Sequence, residues 1–294
     1  MRRPPAFWLL AGFFALFVLF LYGPVITIVV LSFQGPSGGL TFPMQGLSLH
    51  WFGRLWEGVG VVDIWAAFGR SFRLGIVVMV LTVLVSLAAG YAFRRRFPGS
   101  GLVFYAAVAS LIVPSIVVSL GIAVMFRLLD LGVTSVGEWL GIEWFAESFQ
   151  TTAGIYTSGL GAHLTWTLPF GLLIMFAVFN RFDGRFEEAA RDLGATPWQT
   201  FRHVVLPIVA PSLIGIGLFG FTLSWDEAAR SSQALGGDQN TLPLELTGLT
   251  TTVTNPEIYA LGSLTTGVSF AVILSALLTI RALRNRAAAL RAKE

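Results

Sequence analysis

Two groups of residues in this chain carry side chains suited to chemistry, and their spacing decides what that chemistry is. The first is Glu188-Ala189-Ala190, three residues, Gly194, nine residues, then Val204-Val205-Leu206-Pro207, a polar and punctuated insert between two apolar stretches. The second comprises Ser115, His163, Thr165, Trp166, Asp226 and Glu227, which lie inside or beside such stretches. Neither group forms a covalent catalyst. The three histidines, His50, His163 and His203, are far apart, and no His-Glu-x-x-His occurs. Cysteine is absent, which excludes disulfides, thiolate metal sites and cysteine nucleophiles. The only lysine, Lys293, stands next to the C-terminus, so the Gly-Lys-Ser/Thr of a phosphate-binding loop is missing. The chemistry left to these groups is noncovalent: hydrogen bonding and charge pairing in an apolar setting, and docking of a helical surface. No cofactor of its own is expected.

The elements that position the insert are legible in its start and stop signals. Two short helices with a sharp turn are expected: Asp183 caps the first, Glu187 and Glu188 fill its opening turns at the positive end of the helix dipole, and Gly194 ends it. Thr196 caps the second, Pro197 takes its first position, and Gln199 completes a capping box. Phe186, Ala189, Ala190 and Leu193 share one stripe of the first helix, and Trp198, Phe201 and Val205 share one stripe of the second. The residue before Pro207 is disfavoured in the helical region, so a membrane helix is expected to begin there.

Composition sets the class. The 294 residues are 55% hydrophobic and 12% charged, with 25 Phe and 9 Trp, the balance of an all-α polytopic membrane protein. Six stretches are long enough to span a bilayer, near 7–32, 72–93, 102–126, 153–179, 207–229 and 259–280. Three parts follow: 1–69, an anchor helix and external loop; 70–280, a core of five spans with the insert at 181–206; and 281–294, a basic tail. The first stretch exceeds a signal-peptide h-region and has no clear small-x-small cleavage site, so an uncleaved anchor is expected. In the loop after it, Trp51, Phe52, Trp56 and Trp65 are expected to rest at the membrane interface.

Arginine placement orients the spans. Arg2, Arg3, Arg94, Arg95, Arg96, Arg181, Arg185, Arg191, Arg202, Arg281, Arg284, Arg286, Arg291 and Lys293 fall on one side, which the positive-inside rule makes cytoplasmic together with both termini and the insert. The other side holds Arg54, Arg70, Arg127 and Arg230 beside Asp130, Glu138, Glu143, Glu147, Asp238, Glu245 and Glu257. This asymmetry also accounts for the basic charge without nucleic acid. Ionisable residues inside spans cost about 2.5 to 3.5 kcal/mol at the bilayer centre and tend to face a bundle interior or aqueous cavity. His163 is such a residue, with hydrogen-bonded packing as the default role and a place on a solute path as the functional one. Asp226 and Glu227 belong at the external end of the fifth span, where Arg230 offers a local ion pair and a gate is the alternative. Pro114 and Pro169 are candidate helix bends.

The insert resembles the EAA loop of type I ABC importer permeases, whose form is Glu-Ala-Ala, three residues, Gly, nine residues, an apolar residue, one residue and Leu-Pro. In that family the loop seats in a groove of a separate ATPase subunit, which assigns Glu188, Ala189, Ala190, Gly194, Leu206 and Pro207 to ATPase coupling. Phe221-Thr222-Leu223-Ser224-Trp225-Asp226-Glu227, Thr241-Leu242-Pro243 and Asn255-Pro256-Glu257 resemble the second permease of spermidine/putrescine importers. Ala162-His163, Leu168-Pro169-Phe170 and Val113-Pro114-Ser115 resemble it more loosely. The resemblance implies a second permease, homologous or identical, two ATP-binding subunits that use the ATP, an extracytoplasmic solute-binding protein, and alternating access. Two positions depart from the branch: Ser115 stands where a carboxylate can follow the proline, and Arg230 where an apolar residue is usual. Both make the path less acidic, which keeps an amino-acid derivative or opine-like solute beside a polyamine as the expected cargo. A non-transport scaffold or receptor is the remaining class, and the two amphipathic stripes of the insert argue against it.

The charge asymmetry makes a direct prediction. Cysteines placed at Gly99 and Gln199 stay unlabelled by an impermeant thiol reagent in intact cells, while one at Gly141 is labelled. Labelling of the Gln199 position from outside inverts the topology.

Overall fold

In the computed structural model, which describes residues 4–58, 62–94, 97–142, 144–145, 149–235, 239–252 and 255–291, the chain is helical and six helices are long and apolar enough to cross a membrane. Arg2, Arg3, Arg95, Arg96, Glu143, Glu147, Asp238 and Lys293, and the side chains of Arg284, Arg286 and Arg291, lie outside that description. In order the helices are α1 (Pro5–Leu31), α2 (His50–Arg54), α3 (Ile64–Phe93), α4 (Ser100–Ala109), α5 (Ser115–Leu140), α6 (Leu160–Asn180), α7 (Arg185–Asp192), α8 (Pro197–Thr200), α9 (Leu206–Trp225), α10 (Ser231–Ala234), α11 (Leu242–Leu249) and α12 (Glu257–Arg291). A π-type turn, Ile155–Gly159, leads into α6, and another, Phe201–Val205, joins α8 to α9.

Two expected boundaries are corrected. The third span does not run over 102–126: α4 is a short helix, the chain breaks before Pro114, whose ψ of 135° is extended, and the span-length helix is α5. Pro114 has no N–H to give to a continuing helix, and it restricts the residue before it, so the apolar run divides there. Nor does a helix begin at Pro207. Leu206 is helical (φ −59°, ψ −45°), and the helix is continuous from Pro197 to Trp225. The wider π turn just ahead of Pro207 relieves the clash between its ring and the preceding turn.

Contacts divide the chain into two compact units, Met1–Trp65 with Glu245–Val268, and Ala66–Leu244 with Ser269–Glu294. The start of α12 groups with the first loop in the first of these units. Within the first unit the Arg54 Nε donates to Glu257 Oε1 at 3.2 Å, and the Tyr259 hydroxyl donates to the Leu40 carbonyl at 2.9 Å. Trp51 is buried there, and Trp65 stacks on Trp56 at 4.2 Å while donating its Nε1–H to the Leu55 carbonyl. Only Trp56 of these indoles keeps most of its surface open, so Trp51 is a core residue and not an interfacial anchor.

The second unit packs α3, α6 and α9 face to face, and glycine sets how closely. A Cβ on Gly171 of α6 would fall 2.2 Å from Ser86 Oγ, one on Gly90 of α3 would fall 2.7 Å from Met175 Cβ, and one on Gly220 of α9 would fall 3.3 Å from Met79 Cα. Lipid tails are as apolar as leucine, so spans associate through close packing and interhelical hydrogen bonds, and small residues permit both. At the same crossing the Thr82 and Thr167 hydroxyls bond at 2.8 Å, buried. Toward one end, Met175, Phe179, Val205, Val209 and Ile216 form an apolar cluster that reaches the insert.

The crossing predicts a sharp contrast between glycines. Gly90→Val lowers the melting temperature of the detergent-solubilised protein, the overpacking costing on the order of 1–3 kcal/mol. Gly215→Ala, with nothing within 4 Å of its added methyl, leaves it unchanged or higher. Equal melting temperatures for the two variants would contradict this packing.

Candidate functional site

The insert follows its signals except at its start: α7 begins at Arg185 behind Gly184 and no side chain caps it, so Asp183 is one residue too early to be the cap and pairs with Arg185 instead. Asp183 Oδ1 accepts the Arg185 backbone N–H at 3.0 Å and is paired with the Arg185 side chain, whose hydrogen bonds hold the Asp183 carboxyl below its ordinary range. Glu187 and Glu188 lie in the first turn of α7. At its other end Gly194 has φ +83°, its N–H meets the Arg191 carbonyl at 2.8 Å, and the Ala195 N–H meets the Ala190 carbonyl at 3.0 Å. That pair of bonds is a Schellman ending, and the left-handed glycine is what allows it. Thr196 and Gln199 then close a reciprocal capping box, with bonds of 3.3 and 2.8 Å, ahead of Pro197.

The two faces of the insert have different fates. On one, Glu187 is buried and its Oε2 accepts from Arg94 at the end of α3 at 2.9 Å. The Arg94 guanidinium lies 3.9 Å over the Tyr91 ring, and Tyr91 meets Phe179 and Phe201 edge-on at 6.0 and 5.4 Å. A cavity of about 370 Å³ adjoins the pair, bordered by Gly90, Phe176, Asn180 and Gly184. On the other face Glu188 is exposed, as are Ala189 and Pro207, while Ala190 and Leu206 are half-buried. Leu193 is 89% exposed and Trp198 64% exposed, and Phe186 is open too. The expected apolar stripes are therefore not buried against this chain, apart from Phe201 and Val205. Glu187 is the residue that reading by spacing missed. The signal was present, since Arg94 and Glu187 were placed on one side of the membrane with opposite charge.

Three of the second group, Thr165, Trp166 and Glu227, meet at Arg230, which was expected to be an external cation and is instead fully enclosed at 0% exposure. Its Nη1 donates to Thr165 Oγ1 at 2.6 Å, its guanidinium sits 4.8 Å from the Trp166 ring, and its Nε approaches Glu227 Oε2 at 3.8 Å. Glu227 also accepts the Arg230 backbone N–H at 2.9 Å. Burial lowers the Arg230 pKa from its ordinary value, and Glu227 acts against that. The Arg230 carbonyl accepts from Ser119, one turn beyond the half-buried Ser115 on α5. His163 is enclosed at 1% exposure, with Nδ1 bonded to Ser224 Oγ at 2.8 Å and Nε2 to Ser231 Oγ at 2.9 Å, so no solute reaches it in this conformation. Asp226, at the end of α9, keeps an open surface although partial desolvation raises its pKa, and among the described residues it forms no ion pair with Arg230. The local ion pair that the spacing offers Arg230 therefore forms with Glu227, three residues away, and not with Asp226.

The model of the "Binding-protein-dependent transport system inner membrane component" family matches residues 82–290, which includes the whole insert. The chain belongs to that family. It is a multi-pass inner-membrane permease subunit of the type I ABC importer class, a transport protein and not an enzyme. The spermidine/putrescine transport system permease protein PotC of Haemophilus influenzae is 30% identical over 278 residues, covering 93% of this chain and 97% of that protein. The putrescine transport system permease protein PotI of Escherichia coli is 29% identical over 250 residues, covering 84% and 82%. Among solved structures, a bacterial alginate ABC transporter in complex with an alginate pentasaccharide-bound periplasmic protein matches over 92% of both chains with a TM-score of 0.62 and 14% identity, a likeness of fold.

The enclosed pair changes what is expected of the acidic residues. Glu227→Gln strands a buried guanidinium, a loss on the order of 3–5 kcal/mol, and lowers the melting temperature and yield of the permease. Asp226→Asn changes stability by less than about 0.5 kcal/mol. Combining Glu227→Gln with Arg230→Met restores stability, since an apolar side chain of similar volume replaces the charge. An unchanged melting temperature for Glu227→Gln alone would rule this arrangement out.

Proposed function

We propose that this permease forms half of a solute path and couples it, through the insert, to ATP hydrolysis in a separate subunit. The observation that carries the reading is the two-sided insert: Glu187 and Phe201 anchored to the membrane helices, and Glu188, Leu193 and Trp198 left open on two short helices joined by the turn at Gly194. An apolar and acidic helical face without cover in its own chain suits a groove in another protein. The assembly is a second permease, homologous or identical, two ATP-binding subunits and an extracytoplasmic solute-binding protein, with both termini and the insert cytoplasmic. ATP-driven closure of the ATPases draws the inserts together, and the difference in contact energy between the two states shifts the bundle between inward-open and outward-open forms.

The cargo is a polyamine. Support comes from the spermidine/putrescine and putrescine permeases that the chain resembles over most of its length. Arg230, the cation that argued for a less basic solute, is enclosed and balanced by Glu227, so it adds no open positive charge to a route. Asp226 keeps an open carboxylate at the end of α9, the sign an amine requires. An amino-acid derivative or opine-like solute is the second reading, favoured by Ser115 at a position where the branch can carry a carboxylate.

The coupling role predicts that Gly194→Val and Glu188→Arg each abolish solute-stimulated ATP hydrolysis in the assembled complex while membrane insertion of the permease stays near normal. Valine at φ +83° distorts the turn, and arginine reverses the charge of the open face. Full stimulation in both variants would remove the insert from the coupling path. Uptake of putrescine or spermidine by the same reconstituted complex, absent when the binding protein is omitted, tests the cargo.

A further inference from the structure

We infer that Arg94 is a positioning residue that makes α3 and α7 move as one body, so that displacement of the insert reaches the membrane helices. This rests on the insert's role as the ATPase contact. The chain between α6 and α7 is only residues 181–184, and it ends on Gly184, which provides no side-chain cap to α7. Beside it lies the cavity of about 370 Å³, bordered by Gly184, Asn180, Phe176 and Gly90. A push on α7 therefore has a hinge to bend and a space to move into, and would be absorbed there unless something ties the helix sideways.

The Arg94–Glu187 pair is that tie. Both side chains are largely withdrawn from solvent, at 17% and 10% exposure, where screening weakens an ion pair less than on an open surface. The guanidinium is also fixed as a plate: stacked on Tyr91 at 3.9 Å, flanked by Phe179 at 5.4 Å and Phe182 at 6.0 Å, with its Nε donating to the Tyr91 carbonyl at 3.3 Å. A planar fork held this way has few alternative positions for its carboxylate partner. Tyr91 in turn meets Phe201, whose ring stacks on Trp198 at 5.7 Å, so the second helix of the insert is tied to the same turn of α3. One end of one span thus holds both helices of the insert, through a charge pair on one side and an aromatic contact on the other.

The test uses the full importer, with its ATPases, companion permease and loaded binding protein, reconstituted in vesicles. Arg94→Gln and Glu187→Gln are each expected to reduce uptake by at least about fivefold and to reduce the stimulation of ATP hydrolysis by the loaded binding protein. Arg94→Lys, which keeps the charge but loses the stacked plane, is intermediate. The double variant Arg94→Gln with Glu187→Gln loses no more uptake than Arg94→Gln alone, the coupling signature of a direct pair. Spin labels on cysteines replacing Ala92 and Arg185 hold one distance with and without ATP and vanadate when Arg94 is present, and spread to several when it is Gln. Uptake within about twofold of the unsubstituted importer in both single variants overturns the inference, as does a double variant in which the two losses multiply. Failure of Arg94→Gln and Arg94→Lys to assemble also overturns it, making the pair a folding contact. If the insert's coupling role itself is wrong, the result is different: Gly194→Val is silent and the unsubstituted importer shows no stimulation.

Discussion

A bilayer offers its interior no hydrogen bonds, and that single constraint governs this chain. Each spanning segment has to satisfy its own backbone, which leaves helices as the solution for a chain of this composition. The side chains then face a second form of the same constraint. Lipid does not drive apolar helices together, so α3, α6 and α9 associate by approaching closely enough to hydrogen-bond and pack. Gly171 against Ser86 and Thr82, Gly90 against Met175, and Gly220 against Met79 provide that approach, and the Thr82–Thr167 bond occupies it. Where a charge or imidazole must be enclosed, partners come with it: two serines for His163, and Thr165, Trp166 and Glu227 for Arg230.

The same packing decides where the insert sits. Because Gly90 brings α3 against Met175 and Phe179 of α6, the last turn of α3 ends beside the first residues after α6. Arg94 then lies within 2.9 Å of Glu187. A bulkier residue at position 90 would separate the two helices at the level where the ion pair has to form, so a contact inside the bundle and a contact outside it share one cause.

Local chemistry was legible and tertiary context was not. The capping box at Thr196, the left-handed Gly194 and the acidic first turn of α7 are decided by residues within four or five positions of one another, and each stands as its signals predict. Hydropathy likewise located six spans, because about 20 apolar residues carry that information by themselves. Three features escaped. The third span moved to α5 since Pro114 divides an apolar run whose two halves look alike to a hydropathy window. Leu206 stayed helical because the π turn ahead of it absorbs the proline, an adjustment that leaves no composition signal. Arg230 was misplaced because the residues that enclose it, Thr165 and Trp166, come from 65 and 64 positions away in the chain.

The coexistence of a tied face and an open face on one insert follows from what a coupling element has to do. A segment that buried all its apolar surface in its own chain would be stable but would have no affinity left for a partner. One that buried none would be a flexible loop, and binding energy gained on it would be spent on ordering it. Here Glu187 and Phe201 hold the scaffold, while Leu193, Trp198 and Phe186 remain unsatisfied in the isolated chain. Apolar area withheld from folding at roughly 25 cal/mol per Å² is area available to a docking groove, and it is presented on two helices whose junction is fixed by the Gly194 turn and the Thr196–Gln199 box. Binding then costs little ordering, and most of the contact energy is free to differ between two states of the partner. That difference is the only quantity able to shift a conformational equilibrium, so the rigidity of the tied face is what gives the open face its leverage.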